Sequence, residues 1–151
     1  MKPEKIASFT VDHTRLLPGI YVSRIDGDIT TYDLRTRKPN EGDYMDNITM
    51  HSLEHMFATF VRSSKLKDDV IYFGPMGCQT GFYLLIRNAD NETVLCTVKE
   101  TLKNVLGADE MFGQSVIECG NYKNLSLDAA KREAAKYLEV LNSREQTFIY
   151  E

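Results

Sequence analysis

The chain has 151 residues, 42% of them apolar and 26% charged, with a net charge of −4. That is the size of one domain with a core of its own, and the absence of a basic run or an arginine-rich face argues against a nucleic-acid partner. No apolar stretch approaches the roughly 20 residues that a membrane-spanning helix needs, so no membrane is expected as a partner.

The opening stretch "MKPEKIASFTVDH" carries basic residues with no apolar run behind them, so it does not read as a secretory leader, and the cytoplasm is the expected compartment. Residues 1–12 read as an arm or an edge strand. Two β-prone runs, residues 20–25 and 28–35, flank Asp26-Gly27, a pair suited to a tight turn, and together predict a hairpin. "RKPNEGD" is a loop by composition. A first helix is expected to start at Asp46 or Asn47, either of which can cap the free N–H groups of its first turn, and to run to about Lys65. Its apolar stripe is Met50, Leu53, Phe57, Phe60 and Val61. Residues 70–74, "VIYFG", read as a short buried strand, "PMGCQTG" as irregular, and "FYLLIRN" as another strand.

A second helix is predicted over residues 91–106, ending at Gly107, with Val94, Leu95, Val98, Leu102, Val105 and Leu106 as its stripe. Residues 107–126 are loop-rich. Ser126 then caps a third helix with Leu127, Ala130, Ala134, Leu138 and Leu141 along one side. The tail "REQTFIYE" reads either as a short strand or as a mobile end. The order of these elements predicts a single α+β domain, with helices packed on a mostly antiparallel sheet.

Chemistry concentrates in "HSLEHMFATFVRS", residues 51–63, which holds two of the three histidines in an H-x-x-E-H pattern. With about 100° per residue, His55 lies about 40° from His51, so both rings share a face and can grip one ion. Glu54, at about 300°, flanks that face and can reach a ligand on the ion without being a ligand itself. Arg62, at about 20°, adds a cation on the same side, for substrate or for a carboxylate. Such a pattern serves hydrolytic, lyase and purely structural metal sites alike.

Catalytic sites of this type use three protein ligands and keep a position open. Cys119, in "IECGNY" and followed by Gly120, is the preferred third ligand. Asp109, Glu110 and Glu118 are the carboxylate alternatives, which would suit a peptidase. Cys78, in the glycine-rich "GPMGCQTGFY", has neighbouring amides suited to a thiolate and stands where an acid/base or nucleophilic group would be useful. Cys96 falls outside the stripe of the second helix and reads as an incidental, partly exposed thiol. The chain's three cysteines, Cys78, Cys96 and Cys119, are too few and too scattered for a disulfide framework.

Taken together, "SFTVDH", "YDLRTRKPN", "HSLEHMFATFVRS", "GPMGCQTGFYL", "ECGN" and "AAKREAAKYL" resemble the S-ribosylhomocysteine lyases, the LuxS family that makes the precursor of autoinducer-2. H-x-x-E-H alone is shared with inverted zinc peptidases; its combination with "PMGCQTGFY" and a later "CG" is specific. The resemblance implies that His51, His55 and Cys119 hold one divalent metal per subunit, Fe(II) natively, with zinc or cobalt as substitutes. It implies Glu54 and Cys78 as the two acid/base groups, and Ser8, His13 and Arg35 as substrate-binding residues. It further implies a homodimer with active sites at the subunit interface, so that Ser8, His13 and Arg35 serve the partner's metal. Tyr72 departs from the pattern, since some members carry an aspartate there. The implied reaction splits S-ribosylhomocysteine into homocysteine and 4,5-dihydroxy-2,3-pentanedione by successive carbonyl migration and β-elimination.

Overall fold

A computed structural model describes residues 2–150. Four strands, β1 (Gly19–Asp26), β2 (Ile29–Arg35), β3 (Val70–Pro75) and β4 (Gly81–Arg87), form one antiparallel sheet in the order β1-β2-β4-β3. Three helices, α1 (Asn47–Val61), α2 (Asn91–Leu106) and α3 (Leu127–Ser143), pack on one another and on one face of that sheet. The α+β expectation is borne out. No helix among the described residues is long and apolar enough to cross a membrane.

Strand alternation decides which face meets the helices. Tyr32 and Leu34 of β2 and Phe82, Leu84 and Ile86 of β4 are buried in the core, while Asp33, Arg35, Tyr83 and Leu85 point to the opposite, outer face. Asp26 pairs with Ile29, so the hairpin turn is Gly27-Asp28, one residue later than the sequence suggests. Gly27 takes φ +61°, a conformation a side chain would resist.

Each helix begins on a side-chain cap. Asp46 accepts from the Thr49 N–H at 2.8 Å, Asp90 from Thr93 at 3.0 Å and Ser126 from Ala129 at 3.2 Å. α1 stops at Val61 rather than near Lys65. Ser63 Oγ donates to the Thr59 carbonyl at 3.0 Å and Ser64 Oγ to the Val61 carbonyl at 2.6 Å, so these hydroxyls satisfy carbonyls left free at the helix end. Met50, Leu53, Met56, Phe57 and Val61 are buried, each large side chain worth about 1.5–3 kcal/mol on removal from water. Phe60, expected in the stripe, is half-buried and meets Phe112 edge-on at 5.3 Å.

The buried face of α3 is rotated from the expected one. Ala129, Glu133 and Tyr137 join Ala130, Ala134 and Leu141 inside, while Leu127 and Leu138 are half-buried. Glu133 is buried because Arg37 holds its carboxylate at 2.6 Å. The opening arm forms no strand; it makes one 3-10 turn, Ala7–Phe9. The tail is neither a regular strand nor a loose end. Val22 N–H donates to Phe148 at 2.8 Å, Ile20 N–H to Gln146 Oε1 at 3.2 Å, and Phe148 is buried in the core.

Candidate metal centre and thiol pocket

His51 and His55 lie one turn apart on α1, with their rings edge to face and 4.6 Å between centroids. The loop before α3 brings Cys119 to them, with Sγ 3.4 Å from His51 Nε2. One donor atom from each of the three lies within 4.8 Å of the others, the only such group of histidine, cysteine and carboxylate side chains among the described residues. Asp109, Glu110 and Glu118 do not join it.

The outer ring nitrogens are both occupied. His51 Nδ1 meets the Asn124 carbonyl at 3.0 Å, and His55 Nδ1 meets the Phe112 carbonyl at 2.9 Å. A carbonyl only accepts, so each Nδ1 carries the proton and each Nε2 keeps a lone pair for an ion. The Asn121 N–H donates to the Cys119 sulfur at 3.3 Å, and the Asn124 side-chain amide donates to Asn47 Oδ1, tying the loop to the start of α1. The donor set fits a divalent transition metal: two imidazole nitrogens and one thiolate suit Fe(II), zinc or cobalt, and three ligands leave a coordination position open.

Gly113 sets the position of His55. It has φ +70°, and a Cβ built on it would stand 2.7 Å from His55 Nδ1. Glu54 is half-buried and shares an open cleft with His55, Ala58, Thr59, Phe73, Phe112 and Gly113, beside one of the three donors but outside their set.

Cys78 belongs to a different hollow. It lies with Ser8, Phe9, His13, Arg35 and Tyr83 on the outer side of the sheet, and none of these residues lines the Glu54 cleft. A second hollow beside it adds Asn40, Tyr44 and Thr80 to His13 and Cys78. The structure therefore brings Ser8, His13, Arg35 and Cys78 together, and separately His51, His55, Cys119 and Glu54.

Arg35 is 3% exposed and paired with Asp33, itself 1% exposed. Its Nε and Nη2 donate to the two Asp33 oxygens at 3.1 and 2.7 Å, and Nη1 donates to Thr80 Oγ1 at 2.8 Å, with Cys78 Sγ at 3.8 Å. Burial opposes the Arg35 charge, but the Asp33 carboxylate more than offsets this and holds the guanidinium above its ordinary value. Burial, and then the Asp33 charge, raise Tyr83 and Tyr150 above the usual phenol range.

Arg62, expected on the metal face, lies elsewhere. It is the C-cap of α1, exposed, and its guanidinium donates to the carbonyls of Val70 and Ile71 at 3.4 and 3.2 Å. It lines neither the metal cleft nor the thiol hollow, because the side chain turns toward the carbonyls at the start of β3. Tyr72 lies over Gly74 on the outer face and lines an adjoining hollow with Ser8 and Tyr83. Cys96 is exposed on α2, as its place outside the stripe suggests.

Sequence reasoning misses the groups that position these residues: Asn124, Phe112 and Gly113 around the histidines, and Asp33, Thr80 and Tyr150 around Arg35. Two of these contacts use backbone carbonyls, which no residue type signals. The Asp33-x-Arg35 spacing on one strand is the only readable sign, since residues two apart share a face.

The profile of the family described as S-ribosylhomocysteinase (LuxS) matches residues 6–148. Similar proteins include the S-ribosylhomocysteine lyase of Finegoldia magna, 44% identical over 153 residues, covering 97% of each chain. That of Desulfotalea psychrophila is 45% identical over 148 residues and 93% of each chain. That of Borreliella burgdorferi is 43% identical over 147 residues, 93% of this chain and 94% of its own.

Proposed function

The chain belongs to the S-ribosylhomocysteinase (LuxS) family, and from that premise we propose how its residues divide the cleavage of S-ribosylhomocysteine between them. It is a carbon–sulfur lyase. The observation that carries the proposed mechanism is the pairing of a three-donor metal group beside Glu54 with a separate thiol hollow built from Ser8, His13, Arg35 and Cys78.

A divalent ion held by His51, His55 and Cys119, with Fe(II) as the natural occupant and zinc or cobalt as substitutes, supplies Lewis acidity toward the sugar oxygens. The thioether is remote from the aldehyde of the opened sugar, so the carbonyl has to migrate twice before the C–S bond can break. Cys78 takes the proton from the carbon next to the carbonyl and returns it to the former carbonyl carbon, once for each migration. Glu54 moves the accompanying proton between neighbouring oxygens. In the last step Glu54 takes the proton from the carbon between the new carbonyl and the C–S bond, the electron pair left there expels the homocysteine thiolate, and the proton passes from Glu54 to that sulfur to give homocysteine thiol. Tautomerisation of the remaining enol gives 4,5-dihydroxy-2,3-pentanedione, with no water or redox equivalent consumed overall. Ser8 and His13 line the hollow from the arm and hold the substrate there.

One chain keeps Cys78 and the metal group in different clefts. We therefore propose a homodimer in which the Cys78 hollow of one copy faces the metal group of the other. Exposed Ile6, Phe9 and Tyr72 around that hollow support such a contact. The proposed compartment is the reducing cytoplasm, where the thiols persist.

The test is direct. Anaerobically prepared, metal-loaded protein incubated with S-ribosylhomocysteine should release homocysteine thiol. A Cys78→Ala variant should keep its metal and release none. A variant that keeps its metal and turns over at the wild-type rate would remove Cys78 from the mechanism.

A further inference from the structure

Two features of the outer sheet face are unused by the mechanism so far: a buried ion pair, and a tail residue that reaches it. Asp33 and Arg35 are both buried, and the Tyr150 hydroxyl donates to Asp33 Oδ2 at 2.6 Å, the same oxygen that takes Arg35 Nη2 at 2.7 Å. Tyr150 is held in turn by its ring, stacked 5.0 Å from that of Tyr21. On the other side, Arg35 Nη1 donates to Thr80 Oγ1 at 2.8 Å, and Thr80 Oγ1 lies 3.0 Å from Cys78 Sγ.

The directions of these bonds follow from the groups. Guanidinium only donates, so Thr80 accepts from Arg35 and has its own proton free to give to the Cys78 sulfur. Carboxylate only accepts, so Asp33 takes both the Tyr150 and the Arg35 donors. The result is one hydrogen-bonded chain from Tyr150 through Asp33, Arg35 and Thr80 to Cys78. It ends with two donors aimed at one sulfur, the Thr80 hydroxyl and, at 3.8 Å, Arg35 Nη1.

We propose that Thr80, Asp33 and Tyr150 are positioning residues for the Cys78 thiol: Asp33 and Tyr150 fix the Arg35 guanidinium, and Thr80 couples it to the sulfur. This rests on the reading of Cys78 as the carbon acid/base group. With Asp33 and Thr80 taking its donors and almost no surface exposed, Arg35 is the link through which these residues act. The other titratable groups facing Cys78 are His13 from the arm, Tyr44 from the loop before α1 and Tyr83 from β4, and all are left in place by the variants below.

The test reads the cation at the sulfur independently of turnover. Metal-loaded protein is alkylated at fixed pH with iodoacetate, which is anionic, and with iodoacetamide, which is neutral, and modification of the Cys78 peptide is followed by mass spectrometry. A guanidinium held beside the sulfur favours the anionic reagent, and at a solvent-exposed thiol its displacement should lower the iodoacetate-to-iodoacetamide rate ratio about threefold. Thr80→Val and Tyr150→Phe should each lower the ratio, and should lower kcat with KM changed less than about twofold. Thr80→Ser should restore both. Tyr21→Phe removes a hydroxyl that contacts Leu17 and Arg144 but keeps the ring stacked on Tyr150, and should leave the ratio at the wild-type value. Tyr150→Phe removes a single hydroxyl from the tail, so it carries the test if Thr80→Val does not fold. The proposal fails if Thr80→Val and Tyr150→Phe keep the wild-type ratio, or if Tyr21→Phe lowers it as far as Tyr150→Phe does. Should Cys78→Ala stay active, the acid/base reading is lost, while the alkylation ratio still decides whether the chain positions the thiol.

Discussion

Replacing Gly113 with alanine should detach the metal without touching a ligand. The new Cβ would stand 2.7 Å from His55 Nδ1, where ordinary contact begins at 3.4 Å, so relieving the contact in full takes a movement of 0.7 Å. Metal and catalytic constellations tolerate about 0.5 Å. The same movement breaks the His55 Nδ1 bond to the Phe112 carbonyl, and losing such an outer partner typically lowers metal affinity about 10- to 100-fold. The backbone adds a separate cost, about 1–2 kcal/mol for a side chain at positive φ. Gly42→Ala isolates that cost, because Gly42 has φ +74° with nothing within 4 Å of its added Cβ. Competition against a chromophoric chelator gives the affinity of each variant, and thermal unfolding of the metal-free forms gives the backbone cost. Both variants should unfold at lower temperature, while only Gly113→Ala should lose affinity. Equal, wild-type affinity in the two would show that the Gly113 contact does not hold His55 in its binding position.

Other consequences are smaller in scope. Cys119→Ala should leave the purified protein with little metal by elemental analysis, and full occupancy would place the third ligand elsewhere. Arg62→Ala should leave KM for S-ribosylhomocysteine unchanged and lower Tm by about 2–4 °C, the loss expected for about 1 kcal/mol of tethering in a chain of this size. A marked rise in KM would return Arg62 to the substrate. Tyr32 is raised from 10.0 to about 12, first by burial and then by the Asp90 charge. A raised phenol stabilises the fold in full below its unfolded value, so this contribution is intact below pH 10.0 and is lost as pH rises through about 12. Tyr32→Phe should therefore flatten the fall in stability over that window, read by urea unfolding at stepped pH.

Much of the fold was legible because local signals agreed with tertiary demands. Asp46 and Ser126 cap α1 and α3, and α2 occupies its predicted residues to the end. The misreadings have specific causes. The two serines after α1 end it by bonding back to its carbonyls, a choice that apolar spacing does not show. The buried face of α3 is rotated partly because Glu133 lies inside, paired with Arg37, 96 positions away, a contact that local spacing does not show. For the site, the H-x-x-E-H spacing revealed the two histidines, since one helical turn is a local property. The convergence of Cys119 on them, and the separation of Cys78 from them, depend on loop paths and on which side of the sheet each loop leaves. Arg62 illustrates the limit: its angle on the wheel does not show that its guanidinium turns to the carbonyls at the start of β3.

The central claim is that the metal group and Cys78 that act together come from different copies of the chain. Mixed dimers of Cys78→Ala and His55→Ala test it, each variant being inactive alone. In a statistical mixture half the dimers are mixed, and each mixed dimer rebuilds one intact site of two, so homocysteine release should return to about a quarter of the wild-type rate. If the acting residues belong to one chain, every site in every dimer carries a defect, and the mixture should remain as inactive as its parents.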